Sequence, residues 1–241
     1  MTTPRRYLIT GGTSGIGDMC AQYLSAQGHQ VWVTGTSEQS VAAALGRGAA
    51  GGSICDAADA AAVHQAFDDA ATAFGGLDGT FLNAGIDGEG KPAEQLDPAT
   101  FRRVLDVNVV GILHGAQAAH RVLARPGSIV VNASVNAMRP EAHFADYNAS
   151  KAAAATLAST LAQEWSTDGL CITCVCPGYF RSNMTAKYLD DPQIGAELLA
   201  RIPAGRFGEA ADIGATVAFL LANQAPFLTG AIIPIAGASN I

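Results

Sequence analysis

Short apolar segments and longer stretches of helical period alternate along almost the whole of this 241-residue chain. That alternation restricts the fold more than any other feature. Candidate strands are Tyr7–Thr10, Val31–Thr34, Ala49–Ile54, Leu77–Leu82, Ser128–Ala133, Leu170–Val175 and Ala231–Ile235, and helical stretches begin near Ile16, Glu38, Ala58, Asp97, Ala149 and Glu209. Strand–helix–strand repetition needs crossover connections, so the strands run parallel and helices cover the sheet. Strands buried on both faces read as continuous apolar runs, and SIVVNA at 128–133 is one. The expected fold is α/β: a doubly wound parallel sheet of about seven strands with helices on both faces. No repeat, tail or linker divides the chain, so one domain over residues 1–241 is expected. The least regular segment, Tyr179–Gly208, follows a strand and is expected to form a lid over the crevice at the strands' carboxyl ends.

Composition removes several function classes. Hydrophobic residues make up 49% and charged ones 15%, which excludes a disordered chain. Fourteen Lys and Arg against 21 Asp and Glu give a net charge of -7, so the electrostatic footprint of a nucleic-acid binder is absent. No apolar run reaches the ~18 residues that suggest a membrane span. Five cysteines include Cys171, Cys174 and Cys176 in the run CITCVCP. On a strand Cys174 and Cys176 share one face and Cys171 points the other way. No second Cys or His cluster completes a zinc site, so these read as core thiols, with no metal. The opening MTTPRR lacks the apolar core of a leader, and a cytoplasmic setting is expected.

The chemistry-bearing residues fall at strand ends and helix starts. The first candidate strand runs into Thr10-Gly11-Gly12-Thr13-Ser14-Gly15-Ile16-Gly17, with a helix after it. Glycines there allow a tight turn and close approach of a pyrophosphate, which the N–H groups of a helix N-terminus attract. A dinucleotide site is the stronger reading, a purely structural turn the weaker. Tyr147 and Lys151 stand four apart on a candidate helix, so the ammonium can approach the phenol from the next turn. A cation beside a phenol favours the phenolate and a general acid–base role nearer neutral pH. An exposed Tyr and Lys sharing a helix face is the plainer alternative. Ser134 follows the strand Ser128–Ala133, and Asn108 sits in the apolar stretch LDVNVVGIL. Taken singly, each is equally well an ordinary strand-end hydroxyl or a buried amide.

Taken together these residues resemble the short-chain dehydrogenase/reductase family over nearly the whole chain, and within it members similar to 3-oxoacyl-carrier-protein reductases. TGGTSGIG matches the family's TGxxxGxG turn, and Phe81-Leu82-Asn83-Ala84-Gly85 resembles its NNAG segment. Asn108, Ser134, Tyr147 and Lys151 match its Asn–Ser–Tyr–Lys tetrad in order and spacing. Pro177-Gly178 with Ser182-Asn183-Met184 resembles PGxxxTxM, and Arg206-Phe207-Gly208-Glu209 and Leu228-Thr229-Gly230 match later segments. Two positions depart: Leu82 replaces the first Asn of NNAG, and Ile235-Ala236-Gly237 stands where Asp-Gly-Gly is usual.

The resemblance implies a Rossmann-type NAD(P)-dependent oxidoreductase that interconverts an alcohol and a carbonyl of a small molecule by hydride transfer. It implies that Tyr147 exchanges the proton, Ser134 stabilises the substrate oxygen, Lys151 lowers the phenol pKa and holds the ribose, and Asn108 orders a water leading from Lys151. The implied cofactor residues are Gly11, Thr13, Ser14, Gly15, Ile16, Gly17, Thr36, Ser37, Asp56, Asn83, Ala84, Gly85, Pro177, Gly178 and Ser182, with Tyr147 and Lys151. Around the substrate it places Asn136, His143, Phe144, Tyr179, Met184 and Tyr188. Gly35 stands where NAD enzymes of this fold carry an acid, and Thr36 and Ser37 follow with hydroxyls, so NADP(H) is favoured over NAD(H). A homo-oligomer is expected, a tetramer or else a dimer, through the helices Asp97–Leu123 and Ala149–Ser166, the second bearing Ala152–Ala155. The alternative is a catalytically silent cofactor sensor or scaffold of the same fold.

Overall fold

A computed structural model of the chain describes residues 4–239; the first three residues, on which the reading of MTTPRR partly rests, and residues 240–241 lie outside it, as does the Asn183 side chain. Seven strands, β1 (Arg6–Thr10), β2 (Gln30–Gly35), β3 (Gly51–Ile54), β4 (Leu77–Leu82), β5 (Leu123–Asn132), β6 (Leu170–Pro177) and β7 (Ile232–Ile235), form one sheet in the order β3-β2-β1-β4-β5-β6-β7. All neighbouring pairs are parallel. The order reverses between β1 and β4, the place where a crevice opens at the strands' carboxyl ends.

The helices are α1 (Gly15–Ala26), α2 (Glu38–Gly46), α3 (Ala60–Phe74), α4 (Pro98–Leu105), α5 (Gly111–Val122), α6 (Ala145–Trp165), α7 (Asn183–Leu189), α8 (Pro192–Ala200) and α9 (Ala210–Leu221). Several starts are written in local chemistry. Asp59 accepts from Ala61 N and Ala62 N to cap α3, and Asp97 and Asp191, each followed by proline, cap α4 and α8. Gly75, at φ 70°, closes α3 in the left-handed conformation that glycine adopts without a Cβ penalty.

Alternation along the strands divides the core in two. On one face Leu8, Leu82, Ile129 and Ile172 meet Val63 and Phe67 of α3, Ile112 and Ala116 of α5, and Ala154 and Ala158 of α6. On the other, Tyr7, Ile9, Phe81, Val130 and Val175 meet Leu24 of α1 and Ile213, Val217 and Leu221 of α9. All five cysteines are free and buried, and Cys174 and Cys176 belong to the first of these clusters. Among the described residues there is no group of three His, Cys, Asp or Glu able to hold a metal, and no helix long and apolar enough to cross a membrane.

Three segments differ from the sequence reading. The stretch expected as one helix from Asp97 is helical without a gap from Pro98 to Val122, but it contains a π-turn at Asp106–Val110 where α4 passes into α5. Residues Tyr179–Gly208 contain α7 and α8 rather than irregular chain. Helix α6 starts four residues earlier than Ala149, which places Tyr147 in its first turn. Leu82, the departure from NNAG, lies in the core against the face of Gly115, where a Cβ would come within 2.6 Å of Leu82 Cδ2. The C-terminal departure leaves main-chain contacts in place: Gly178 N donates to Ile235 O and Ala204 N to Gly237 O.

Candidate active site

Two cavities meet at the carboxyl ends of the central strands. One, of about 340 Å³, runs from the β1–α1 turn past β4 to β6. The other, of about 370 Å³, lies beneath α7 and α8. Ser134, Tyr147, Gly178, Met184 and Thr185 line both. The Tyr147 phenol and the Ser134 and Thr185 hydroxyls are therefore polar groups at the boundary of the two cavities.

The local fold explains how those groups are held. Ser134 begins the short turn after β5, its Oγ accepting from Asn136 N at 3.2 Å. Lys151 is 3% exposed, and its Nζ donates to Asn132 O at 3.0 Å and lies 5.6 Å from the centroid of the Tyr147 ring. The π-turn adds a residue to the helical path and presents Asn108 inward. Asn108 Nδ2 donates to Ile86 O and to Ser150 Oγ, both at 3.0 Å, while its Oδ1 accepts from Ile86 N at 2.8 Å. Ser150 Oγ in turn donates to Tyr147 O at 2.7 Å. Asn108 lines neither cavity; it ties the β4 loop to the helix that carries Tyr147 and Lys151.

Burial controls the protonation of both groups here. It pushes the Tyr147 phenol up to about 12, against a smaller downward pull from the Ser134 hydrogen bond. It pushes the Lys151 ammonium down to about 8. The sequence suggested a lowering by Lys151; here desolvation dominates and the Ser134 hydrogen bond is what lowers the phenol. At neutral pH the phenol keeps its proton and can give it away.

The 340 Å³ cavity suits a dinucleotide. Ser14 is the N-cap of α1, yet its side chain makes no capping bond, and with Gly15 and Ile16 it leaves the helix N-terminus facing the cavity. Asn83 holds the turn, its Nδ2 donating to Thr10 O and Gly11 O at 3.0 Å, while Thr10 Oγ1 accepts from Asn83 N and Ala84 N. Gly17 packs under the turn, where a Cβ would stand 2.3 Å from Gly11 O. Gly11, Thr13, Thr36, Asp56, Asn83, Ala84, Gly85, Lys151, Pro177 and Ser182 also line this cavity. Gly17 and Ser37 do not; Ser37 Oγ accepts from Ser40 N to cap α2.

Asn136, His143, Phe144, Tyr179, Met184 and Tyr188 all line the 370 Å³ cavity. His143 has φ 69°, a strained value for a residue with a Cβ, at the bend into α6. Phe144 and Tyr188 stack edge to face at 6.2 Å. Val135, Leu189, Ile194 and Leu198 complete an apolar wall.

Apart from Asp56, sequence reasoning missed the charged groups. Asp87 accepts from Tyr188 Oη at 3.2 Å and pairs with Lys187 at 3.1 Å. Glu141 accepts from Tyr179 Oη and faces Arg201. In the other cavity Arg103 pairs with Asp56 at 2.6 Å. Arg47, at the end of α2, donates to Thr13 O at 2.9 Å and pairs with Asp18 at 3.0 Å. These partners are far apart in the chain, so no local pattern announces them.

A family model described as enoyl-(acyl carrier protein) reductase matches residues 11–238. The chain belongs to the short-chain dehydrogenase/reductase family. It is 32% identical to 3β-hydroxysteroid dehydrogenase 1 of Eggerthella lenta, over 97% of this chain and 93% of that protein. It is 33% identical to levodione reductase of Leifsonia aquatica, over 99% and 95%. A crystal structure of levodione reductase superimposes with a TM-score of 0.93 at 29% identity, covering 100% of this chain and 99% of that one. This dehydrogenase/reductase is therefore an NAD(P)-dependent oxidoreductase of hydroxyl and carbonyl groups on small molecules. Solved neighbours carry both forms of the cofactor. A short-chain dehydrogenase from Burkholderia cenocepacia is in complex with NADP (33% identity, 98% of each chain, TM-score 0.88), and 3-ketoacyl-(acyl-carrier-protein) reductase from Brucella melitensis with NADH (26%, 98% of each, 0.90).

Proposed function

We propose that the chain works as one unit in which the 340 Å³ cavity holds the dinucleotide, the 370 Å³ cavity holds the substrate, and residues 179–208 form the lid. The observation that carries this is the position of Ser134 and Tyr147 in the shared wall. A bound nicotinamide supplies or accepts the hydride. Tyr147 gives its proton to the carbonyl oxygen in reduction and takes it back in oxidation, while Ser134 donates to the same oxygen and stabilises the charge that develops there. The Lys151 ammonium favours the phenolate left after proton transfer until solvent returns the proton, and it would hold the ribose hydroxyls of a bound cofactor. Asn108 positions Tyr147 through Ser150 rather than touching the reactants.

The substrate reading is a compact hydrophobic carbonyl compound or alcohol, since the walls beside Tyr147 are aliphatic and aromatic. The names of relatives that act on a hydroxysteroid and on levodione support a ring-bearing substrate. A homo-oligomer, tetramer or dimer, in the cytoplasm completes the reading. Of the alanines 152–155, Ala154 and Ala155 are spent on the chain's own core, so Ala149, Ala152, Thr156 and Thr160 are among the outward residues of α6 available to a partner.

For the cofactor we favour NADP(H). A Cβ at Gly35 would stand 2.6 Å from Thr13 Cγ2 and 2.7 Å from Ser40 Oγ, so the strand end has no room for the carboxylate that would repel a 2′-phosphate. Thr36 faces the cavity with a hydroxyl, and the Arg47 guanidinium stands at Thr13, although Asp18 offsets its charge. Following nicotinamide absorbance with one ketone and each reduced cofactor tests this. The expected result is a higher kcat/KM for NADPH by less than about tenfold, because neutral donors bind phosphate more weakly than an unpaired cation. A preference of about tenfold or more for NADH overturns it.

A further inference from the structure

The cavity assigned to the substrate does not end at its apolar wall. A second hollow of about 340 Å³ adjoins it, and Val135, Asn136, Glu141, Ala142, Tyr179 and Arg201 line both. The character changes across that boundary. Toward Tyr147 the lining is Phe144, Leu189, Ile194 and Leu198; beyond it come Arg139, Pro140 and Ser239.

Two observations point to a ligand group at this boundary. Arg201, just after α8, places its guanidinium between the two hollows, and its contact with Glu141 Oε1 is long, at 3.4 Å. A well-formed charge-assisted bond of this kind is shorter, ~2.8 Å. Its side chain is 57% exposed, so it remains open to a ligand. Glu141 is held on its other side by the Tyr179 hydroxyl and has a partner even when Arg201 turns away. Ser239 is 7% exposed, and its Oγ has no hydrogen-bond partner among the described residues. Ser239 Oγ shares this state with Tyr7 Oη, Ser25 Oγ, Asn132 Oδ1, Thr173 Oγ1 and Asn223 Oδ1, and Ser239 lines only the second hollow. The other carboxylate of the cavity, Asp87, is already matched by Lys187 and Tyr188.

We propose that the substrate carries a carboxylate remote from its reacting carbon, and that Arg201 binds it at the junction of the two hollows. The proposal rests on the assignment of the 370 Å³ cavity to the substrate. The ring or chain of the substrate fills the apolar section with its carbonyl at Ser134 and Tyr147. The carboxylate replaces the long Glu141 contact of Arg201 with a two-pronged one, which the planar guanidinium favours. A neutral ketone makes the first set of contacts and forgoes the second. Glu141 acts as a competitor that keeps Arg201 oriented until the substrate arrives.

Calorimetric titration of the NADP⁺-loaded protein with 4-acetylbenzoate and with 4-acetylbenzamide reads the subsite without any turnover. Binding of the acid is expected to be tighter by about tenfold or more, the margin of a charge-assisted pair over a neutral one. Arg201→Gln should bring that ratio near one, whereas Glu141→Gln, which removes the competitor, should raise it. Opposite movements in two variants of the same ion pair are not produced by general damage to the fold, and circular dichroism of both variants checks that fold. An acid-to-amide ratio near or below one in the unaltered protein overturns the proposal, as does a ratio that Arg201→Gln leaves intact. Reduction of the two compounds and of acetophenone is followed in parallel. Turnover without acid preference removes the subsite alone, while selective binding without any turnover removes the oxidoreductase reading of the cavity and keeps the subsite.

Discussion

Tyr147→Phe is expected to lower kcat by about 10²- to 10⁴-fold, the range that a positioned general acid contributes. Only the hydroxyl is lost. The ring still fills the wall between the two cavities, and Lys151 keeps its bond to Asn132 O, so the dinucleotide cavity retains its shape and cofactor affinity should be largely unchanged. Because burial holds the phenol near 12 in the cofactor-free protein, Tyr147 is a proton donor at neutral pH, suited to reduction. Oxidation needs the deprotonated phenol, so its rate should rise with pH while that of reduction does not. Steady-state kinetics in both directions, with a fluorescence titration of the reduced cofactor, check these outcomes. Near-normal turnover in the variant would take Tyr147 out of the reaction.

Lys151→Ala should damage rate and cofactor affinity together, each by about tenfold or more, since a hydrogen bond from a charged group contributes ~1.5–3 kcal/mol. That dual loss separates it from Tyr147→Phe. The same substitution has a pH signature in the cofactor-free protein. The folded ammonium releases its proton near 8, whereas an unfolded lysine holds it to about 10.4. Between those values the unfolded state binds the extra proton, so this residue makes stability rise with pH. Urea unfolding at pH values spanning that window should show a steeper rise for the unaltered protein than for Lys151→Ala. Parallel pH profiles would mean that the ammonium is not held in the dry site described here.

How much of this was legible in the sequence depended on whether the signal was local. Strand LCITCVCP is an almost continuous apolar run, and its doubly covered burial follows from that composition, whereas LDGTFL carries Asp78 and Thr80 and is legible only at its apolar ends. Strand β5 begins five residues before its apolar run, at Leu123, because Ala-Arg-Pro-Gly has the composition of a turn while the ladder to β4 extends through Leu123. Helices α7 and α8 were hidden by their brevity and by Asp190-Asp191-Pro192 between them, a sequence that resembles a loop but supplies a cap and a first-turn proline. The glycine turn and the Tyr-x-x-x-Lys pair are short motifs on single elements, and the six residues named for the substrate do come to one cavity.

Residues whose work depends on distant partners escaped. Asn83 was legible as part of a motif, but its clamp on Thr10 and Gly11 comes from the pairing of β1 with β4. Asn108 was legible by position, while its link to Ser150 depends on a π-turn that no periodicity announces. Arg201, Glu141 and Tyr179 lie in three segments that meet only when the lid helices fold over the sheet. Ser37 has a second task that the sequence did not show: its hydroxyl oxygen caps α2.

The most direct test of the central claim follows the label rather than the absorbance. NADPH dideuterated at the nicotinamide C4 is mixed with the protein and a ring-bearing ketone, and the product alcohol is analysed by mass spectrometry. Ser134, Tyr147 and Lys151 at the meeting of two cavities predict one deuterium on the former carbonyl carbon and none on the oxygen, whose proton comes from Tyr147 and solvent. A protein that binds the labelled cofactor stoichiometrically yet transfers no deuterium to any ketone of a broad panel would contradict the account, and would mark the chain as a cofactor sensor or scaffold.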